Sequence, residues 1–393
     1  MTDLLALPLF EPAHRALAER LAAFAADVIE PRAAAADTGD PVAIGRDFIR
    51  AAADAGILPL FVAGGATGDG AHADLRALCL AREAIAAASG FADSVYAVQG
   101  LGTFPIAVAG DAGLSRRYLP AATSGTAVGA FALTEPDAGS DPAGIATTAT
   151  ADGDSYVLTG RKTLISNAGL ATFYIVFAQS DPSAGRKGLS AFVVDAETPG
   201  FRVVRQIELI APHPIGELAF DECRVPASHR LGVGGDGLKI ALKTLDFFRS
   251  SVGAAACGMA QRAVDEAVRH ARHRRQFGSL IADFQATKIA LADMATDLDA
   301  ARLLVYRAAW TKDVGAERVT REASMAKLFA TEAAQRIVDR AVQIHGGLGV
   351  QRGVVVERLY REVRALRIYE GTSEIQRLVI AERVLADGAT HTP

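Results

Sequence analysis

Between about residues 125 and 230 the chain changes texture. Short runs rich in β-branched and aromatic residues, at 173–177, 189–194 and 201–204, stand apart between Gly, Pro, Asp and Ser. Such residues pack well on a pleated surface and lose side-chain freedom in a helix, so this window predicts a small β domain. On either side the apolar residues return at helical spacing. Leu17, Leu21, Phe24 and Val28 begin a helical stretch from Pro12 to about Ala122, punctuated by Gly, Pro and Asp at 38–41 and 63–70. From Gly237 onward four long segments, roughly 238–271, 283–312, 316–346 and 373–386, suit an antiparallel bundle. The succession helix, sheet, helix predicts an α+β chain with divisions at 1–123, 124–233 and 234–393. No fixed-period repeat appears, so the three zones read as distinct modules.

A length of 393 residues allows a large buried core, and 50% hydrophobic with 22% charged residues is the composition of a globular protein. The net charge of -4 gives no electrostatic reason to follow a nucleic-acid backbone. The basic stretch Arg269–Arg275 reads either as a solvated helix face or as a contact for a phosphorylated ligand. Cys79, Cys223 and Cys257 are far apart, odd in number and free of CxxC spacing, which predicts neither disulfides nor a metal site and fits a reducing cytoplasm. The N-terminus carries no secretion-signal pattern. Apolar runs are broken by charges such as Lys243, Asp246 and Arg249, so no membrane insertion is expected.

Gly232, Gly234 and Gly237 have the spacing of a dinucleotide-binding turn, but no buried strand precedes them and continuous helix follows, so a flexible loop is the better reading. Phe131–Asp141 ends a strand and turns at Pro136 and Gly139; it is either an ordinary strand exit or a cradle for the polar edge of a ring. Gln343, His345, Gly346 and Gly347 close a helix, most simply as a glycine C-cap with a structural histidine. Ser373 and Gln376 fit a capping box, which puts Glu370 in the loop just before a helix. There its carboxylate either stabilises the helix terminus or serves as a base in a cavity.

Four strings, 131–141, 160–168, 274–285 and 360–378, occur in an order that resembles the acyl-CoA dehydrogenase family over about residues 85–386. The C-terminal half is most similar to its medium-chain members, through Ala260–Ala267 and Arg307–Trp310. The resemblance implies an N-terminal helical domain, a β-barrel-like middle domain and a C-terminal four-helix bundle. It also implies FAD as cofactor and α,β-dehydrogenation of an acyl-CoA to a trans-2-enoyl-CoA, with Glu370 removing the α-proton. Contacts to the flavin end are implied for Phe131, Leu133, Thr134, Ser140, Leu164, Ser166, Thr372 and Glu374. Arg274, Gln276, Phe277 and Gln285, with Gln343, Gly346 and Gly347, match positions that reach FAD across a subunit interface, Arg274 at the pyrophosphate. Ser140, Asp246, Arg249 and Gly371 match substrate contacts. The family further implies an electron-transfer flavoprotein as electron acceptor and a homotetramer built as a dimer of dimers.

Some positions depart from the family pattern. Leu164 stands where a Trp is usual, the stretch Ile210–Gly216 with His213 replaces a Gly- and Ser-containing one near CoA, and Glu382 stands where an Arg often helps bind it. Phe248 occupies the place where some members carry their base, which leaves Glu370, and bulky Phe247 and Phe248 favour a short, branched or cyclic acyl group. An acyl-CoA oxidase and a non-catalytic flavoprotein of the same fold are the alternatives.

Overall fold

The computed structural model describes residues 2–62 and 73–389; the punctuation expected at 63–70 lies outside the described residues. Six helices come first: α1 (Thr2–Leu5), α2 (Pro12–Phe24), α3 (Pro41–Asp54), α4 (Leu75–Ala88), α5 (Gly90–Ala109) and α6 (Ala112–Thr123). Eight strands follow: β1 (Gly129–Ala132), β2 (Thr148–Asp152), β3 (Ser155–Ser166), β4 (Phe173–Gln179), β5 (Leu189–Asp195), β6 (Phe201–Gln206), β7 (Ile215–Pro226) and β8 (Arg230–Leu231). After helix α7 (Gly237–His273) comes a hairpin of β9 (Arg275–Gln276) and β10 (Ser279–Leu280). Helices α8 (Gln285–Asp313), α9 (Thr320–His345), α10 (Val355–Val363) and α11 (Ser373–Ala389) complete the order. The expected succession of helix, sheet and helix is present. None of the helices among the described residues is long and apolar enough to cross a membrane.

The chain forms two compact units. The first gathers residues 1–34, 74–93 and 246–393. Its helices are held by long-range polar contacts as well as by apolar packing. Asp74 caps α4 by accepting the Ala77 N–H (2.9 Å), and Asp313 at the end of α8 accepts the Leu75 and Arg76 N–H groups (2.8 and 3.0 Å), so donors that a helix start leaves unpaired are satisfied from two elements. Gly258 of α7 touches α4 so closely that a Cβ there would sit 2.1 Å from the Glu83 carbonyl. Helix α9 was expected from 316 but begins at Thr320, because the Lys312 ammonium binds the Ala316 and Glu317 carbonyls (3.0 and 3.2 Å) and holds those residues in the turn that follows α8.

The second unit holds residues 35–73 and 94–245 and contains the sheet, in the order β6-β7-β3-β2-β4-β5-β8, with β1 added in parallel to β4. Strands β4 and β5 are almost wholly buried and correspond to the expected apolar runs. The long antiparallel pair β3 and β7 was not among those runs, since β3 keeps an exposed, polar side and gives no continuous apolar signal. Their register slips between Lys162 and Ile165, and inside that bulge Leu164 takes φ +53°.

Candidate active site

Helix α11 starts at Ser373 as the sequence predicts, but the capping box does not form. Thr372 is the cap: its hydroxyl accepts the Ile375 N–H (3.3 Å). The Ser373 hydroxyl donates to Glu332 (2.6 Å), and the Gln376 amide turns back to the carbonyls of Glu370 (3.2 Å) and Gly371 (3.0 Å). The same residues therefore staple the preceding loop rather than each other. In that loop Glu370 has φ +54° and Gly371 φ +92°. A glutamate in the left-handed region persists only where its surroundings over-determine it. Lys327 of α9 supplies a further restraint, its ammonium donating to the Gly371 carbonyl at 2.8 Å.

Held this way, Glu370 has a buried Oε2 with no hydrogen-bond partner. Burial pushes its carboxyl above the ordinary range against the pull of Arg82, Arg249 and Lys327, and Asp93 adds to the rise. Arg82 is fully buried in a fork-to-fork pair with Asp93 (2.9 and 2.8 Å), its third arm donating to Ser251 (2.9 Å). Arg249 donates to Asp246 (2.5 Å), which also accepts the Thr320 hydroxyl (2.7 Å). Burial lowers the Lys327 ammonium to about 8. The Tyr369 phenol, also buried and beside Arg82, is pushed well up and stays protonated. The arrangement presents one oxygen of a poised carboxyl, with fixed cations around it and no other proton acceptor paired to it. Such a group can take up or release a proton. Phe248, at the alternative base position, is completely buried.

In the second unit the strings 131–141 and 160–168 come together. The Thr163 N–H binds the Thr134 carbonyl (3.0 Å), and Lys162 reaches both the Leu133 carbonyl (3.1 Å) and Glu135 (2.7 Å). Glu135 also accepts the N–H groups of Ala146 (2.7 Å) and Thr147 (3.0 Å), and its turn is closed by reciprocal backbone bonds with Ala138. Thr134 and Phe131 are half-buried, Leu133 likewise, while Gly139 and Ser140 are exposed. Leu164 leaves 50% of its surface exposed, and Ser166 is hydrogen-bonded to His213 (2.7 Å).

The remaining candidates lie in the first unit. Arg274, Gln276 and Gln285 are exposed, and Phe277, at the hairpin tip with φ +50°, exposes 94% of its surface. His270 and His345 stack at 4.4 Å between centroids, which brings the end of α7, with Arg274, beside the end of α9. The His345 Nδ1 also lies 2.8 Å from the Ala341 carbonyl within its own helix, and Gly346 is the C-cap of α9 at φ +62°. Gln343, Gly346, Gly347 and Glu374 are exposed and Thr372 is half-buried. In the other glycine motif a Cβ at Gly235 would lie 2.3 Å from the Lys187 carbonyl and one at Gly237 2.7 Å from the Ser190 backbone, so these glycines permit close backbone approach to β5 and the turn before it. Among the described residues no group of metal-ligating side chains occurs.

Sequence reasoning missed Arg82, Asp93, Lys327, Lys162 and the His213 contact. A lysine or arginine inside an apolar, alanine-rich helical stretch, such as Lys327 in Ser324–Ala330, is the only signal available, because a buried cation needs a partner.

Family models described as the N-terminal, middle and C-terminal domains of acyl-CoA dehydrogenase match residues 11–126, 130–223 and 235–385. The chain is 45% identical over 320 residues to a 3-(aryl)acrylate reductase of Clostridium sporogenes, covering 80% of this chain and 84% of that one. It is 42% identical over 325 residues to subunit CarC of the caffeyl-CoA reductase-Etf complex of Acetobacterium woodii, again covering 80% and 84%. The structure of butyryl-CoA dehydrogenase from Megasphaera elsdenii matches with a TM-score of 0.87 and 34% identity, covering 96% of this chain and 99% of that one.

Proposed function

Since the chain belongs to the acyl-CoA dehydrogenase family, we propose that it is an FAD-dependent oxidoreductase that removes the α- and β-hydrogens of an acyl-CoA thioester, with Glu370 as the base. The observation that carries this reading is the Glu370 carboxyl, with an unpartnered buried oxygen, a raised affinity for protons and a backbone clamped by Lys327 and Gln376. The residues present fit FAD. The stacked His270 and His345 bring the end of α7, which carries Arg274, beside the end of α9, where an added Cβ at Gly346 or Gly347 would meet nothing within 4 Å; that open surface and the exposed Arg274 guanidinium suit a pyrophosphate, and the exposed Phe277 ring suits an adenosine.

FAD supplies a hydride acceptor for the β-carbon. The chain's own residues do the rest. Glu370 takes the α-proton, and its backbone N–H binds the thioester oxygen, where negative charge develops. Arg249, fixed by Asp246, and the cation of Arg82 hold positive charge nearby. Ser140, Asp246, Arg249 and Gly371 are the proposed substrate contacts. Phe131, Leu133, Thr134, Ser140, Leu164, Ser166, Thr372 and Glu374 are proposed for the flavin of the same subunit. Arg274, Gln276, Phe277, Gln285, Gln343, Gly346 and Gly347 are proposed for that of a neighbour in a homotetramer. An electron-transfer flavoprotein as partner is supported by the Etf complex to which one relative belongs.

Two relatives are named reductases, which favours a second reading, the same chemistry run in reverse on an enoyl-CoA. A carboxyl with a raised proton affinity is equally suited to return a proton to the α-carbon. Acyl-CoA and enoyl-CoA thioesters assayed anaerobically, with an oxidised or a reduced dye respectively, separate the two directions, and oxygen uptake reveals an oxidase. Glu370→Gln is expected to lower turnover about 10³-fold in either direction. Wild-type turnover in that variant with FAD still bound refutes the assignment.

A further inference from the structure

His213 lies between Pro212 and Pro214 where the chain enters β7, and its Nε2 is 2.7 Å from Oγ of Ser166 at the end of β3. The contact follows from register. Ser166 pairs with Ile215, two residues beyond His213, and the loop is closed by the Ile207 N–H on the Ile215 carbonyl (2.8 Å). Flanking prolines restrict the backbone on both sides of the ring, so the imidazole is presented by a stiff segment. Burial pushes it down to about 4, so at neutral pH it carries one proton, on one of its two nitrogens.

A serine hydroxyl has a single proton to give. Were Nε2 bare, Ser166 would spend that proton on His213 and turn only lone pairs outward. The pyridine-like ring nitrogen of an oxidised flavin is itself an acceptor, so such a serine would meet it acceptor to acceptor. Taking Ser166 as a flavin contact, as proposed above, we infer that His213 is a positioning residue: its Nε2–H donates to Ser166 Oγ and leaves the serine proton free for a flavin ring nitrogen. Removing the imidazole frees the serine to rotate and weakens that donation without touching the flavin directly. Where Leu164 offers no aromatic wall, this relay is a device by which the sheet sets flavin electronics.

The test reads the visible absorption band of the bound flavin in the holoprotein, with no turnover involved. Ser166→Ala should shift the band. His213→Met, which fills the space without a donor, should shift it the same way, with His213→Ala as the companion variant should the methionine not fold. The double variant should shift no further than Ser166→Ala alone, and His213→Gln, whose amide N–H replaces the lost donor, should restore the wild-type band. A band moved by Ser166→Ala but not by loss of His213, or shifts that simply add, overturns the relay. A band unmoved by Ser166→Ala refutes Ser166 as a flavin contact and takes the relay with it, whereas a preparation that holds no flavin refutes the cofactor reading itself.

Discussion

Replacing Lys327 by Met separates the stability of the fold from the tuning of its base. The side chain is fully buried, and its ammonium, lowered to about 8 from 10.5, is still charged at neutral pH. Keeping that charge costs about 3 kcal/mol. The hydrogen bond to the Gly371 carbonyl offsets about 1.5–3 kcal/mol of this, and Gln376 also donates to that carbonyl, so the oxygen is not orphaned in the variant. Methionine fills a similar volume. Stability at pH 7 should therefore change by less than about 2 kcal/mol, read by denaturant unfolding. Because the wild-type cost is present below pH 8 and relieved as pH rises from there towards 10.5, the comparison should move in favour of the wild type over that window. Activity should respond differently. Lys327 is one of three cations that restrain the proton affinity of Glu370, so its loss lets the carboxyl rise further, and the acid limb of the kcat/KM profile should move to higher pH. An unchanged acid limb in a folded variant refutes the electrostatic argument, and an unfolding loss of several kcal/mol refutes the accounting of the buried charge.

Lys162→Met should destabilise by about 3–5 kcal/mol in thermal or chemical unfolding, because it leaves Glu135 buried without its cation, and adding Glu135→Gln should recover much of the loss. Gly371→Ala places a Cβ 2.6 Å from the Gln376 amide at a φ of +92°, a strain of about 1–3 kcal/mol that should displace Glu370 and lower kcat more than it lowers FAD content. Arg274→Ala should weaken FAD retention about tenfold or more, measured as free flavin after gel filtration, and full retention would count against its proposed pyrophosphate contact.

The order of helices and sheet was legible because hydrophobic period depends on local sequence, and so was the loop that carries Glu370, because its string is contiguous. What surrounds Glu370 was not. Arg82, Asp93, Arg249 and Lys327 come from four helices, and nothing in the sequence near any of them announces the others. The cap of α11 shows a subtler limit. Ser373 and Gln376 have capping-box spacing, yet Glu332 and the Glu370–Gly371 carbonyls offered better partners than the helix's own N–H groups. His213 meets Ser166 only because β3 and β7 align in one register, and a single-residue slip would turn them apart.

A ribosome delivers this chain in an order its first unit does not respect. That unit draws on residues 1–34, 74–93 and 246–393. Arg82 waits 169 residues for Ser251, and Glu83 waits 219 for Arg302. At bacterial or eukaryotic elongation rates that interval is about ten to forty seconds, long enough for an apolar helix whose Glu83 has no cation yet to find the wrong company. Strands β1 to β8, by contrast, find their sheet partners within residues 129–231. A nascent chain of this kind has its sheet complete early and its base-bearing unit last, so a premature stop ahead of α9 leaves every strand of the sheet in place but removes both Glu370 and the Lys327 that clamps its loop.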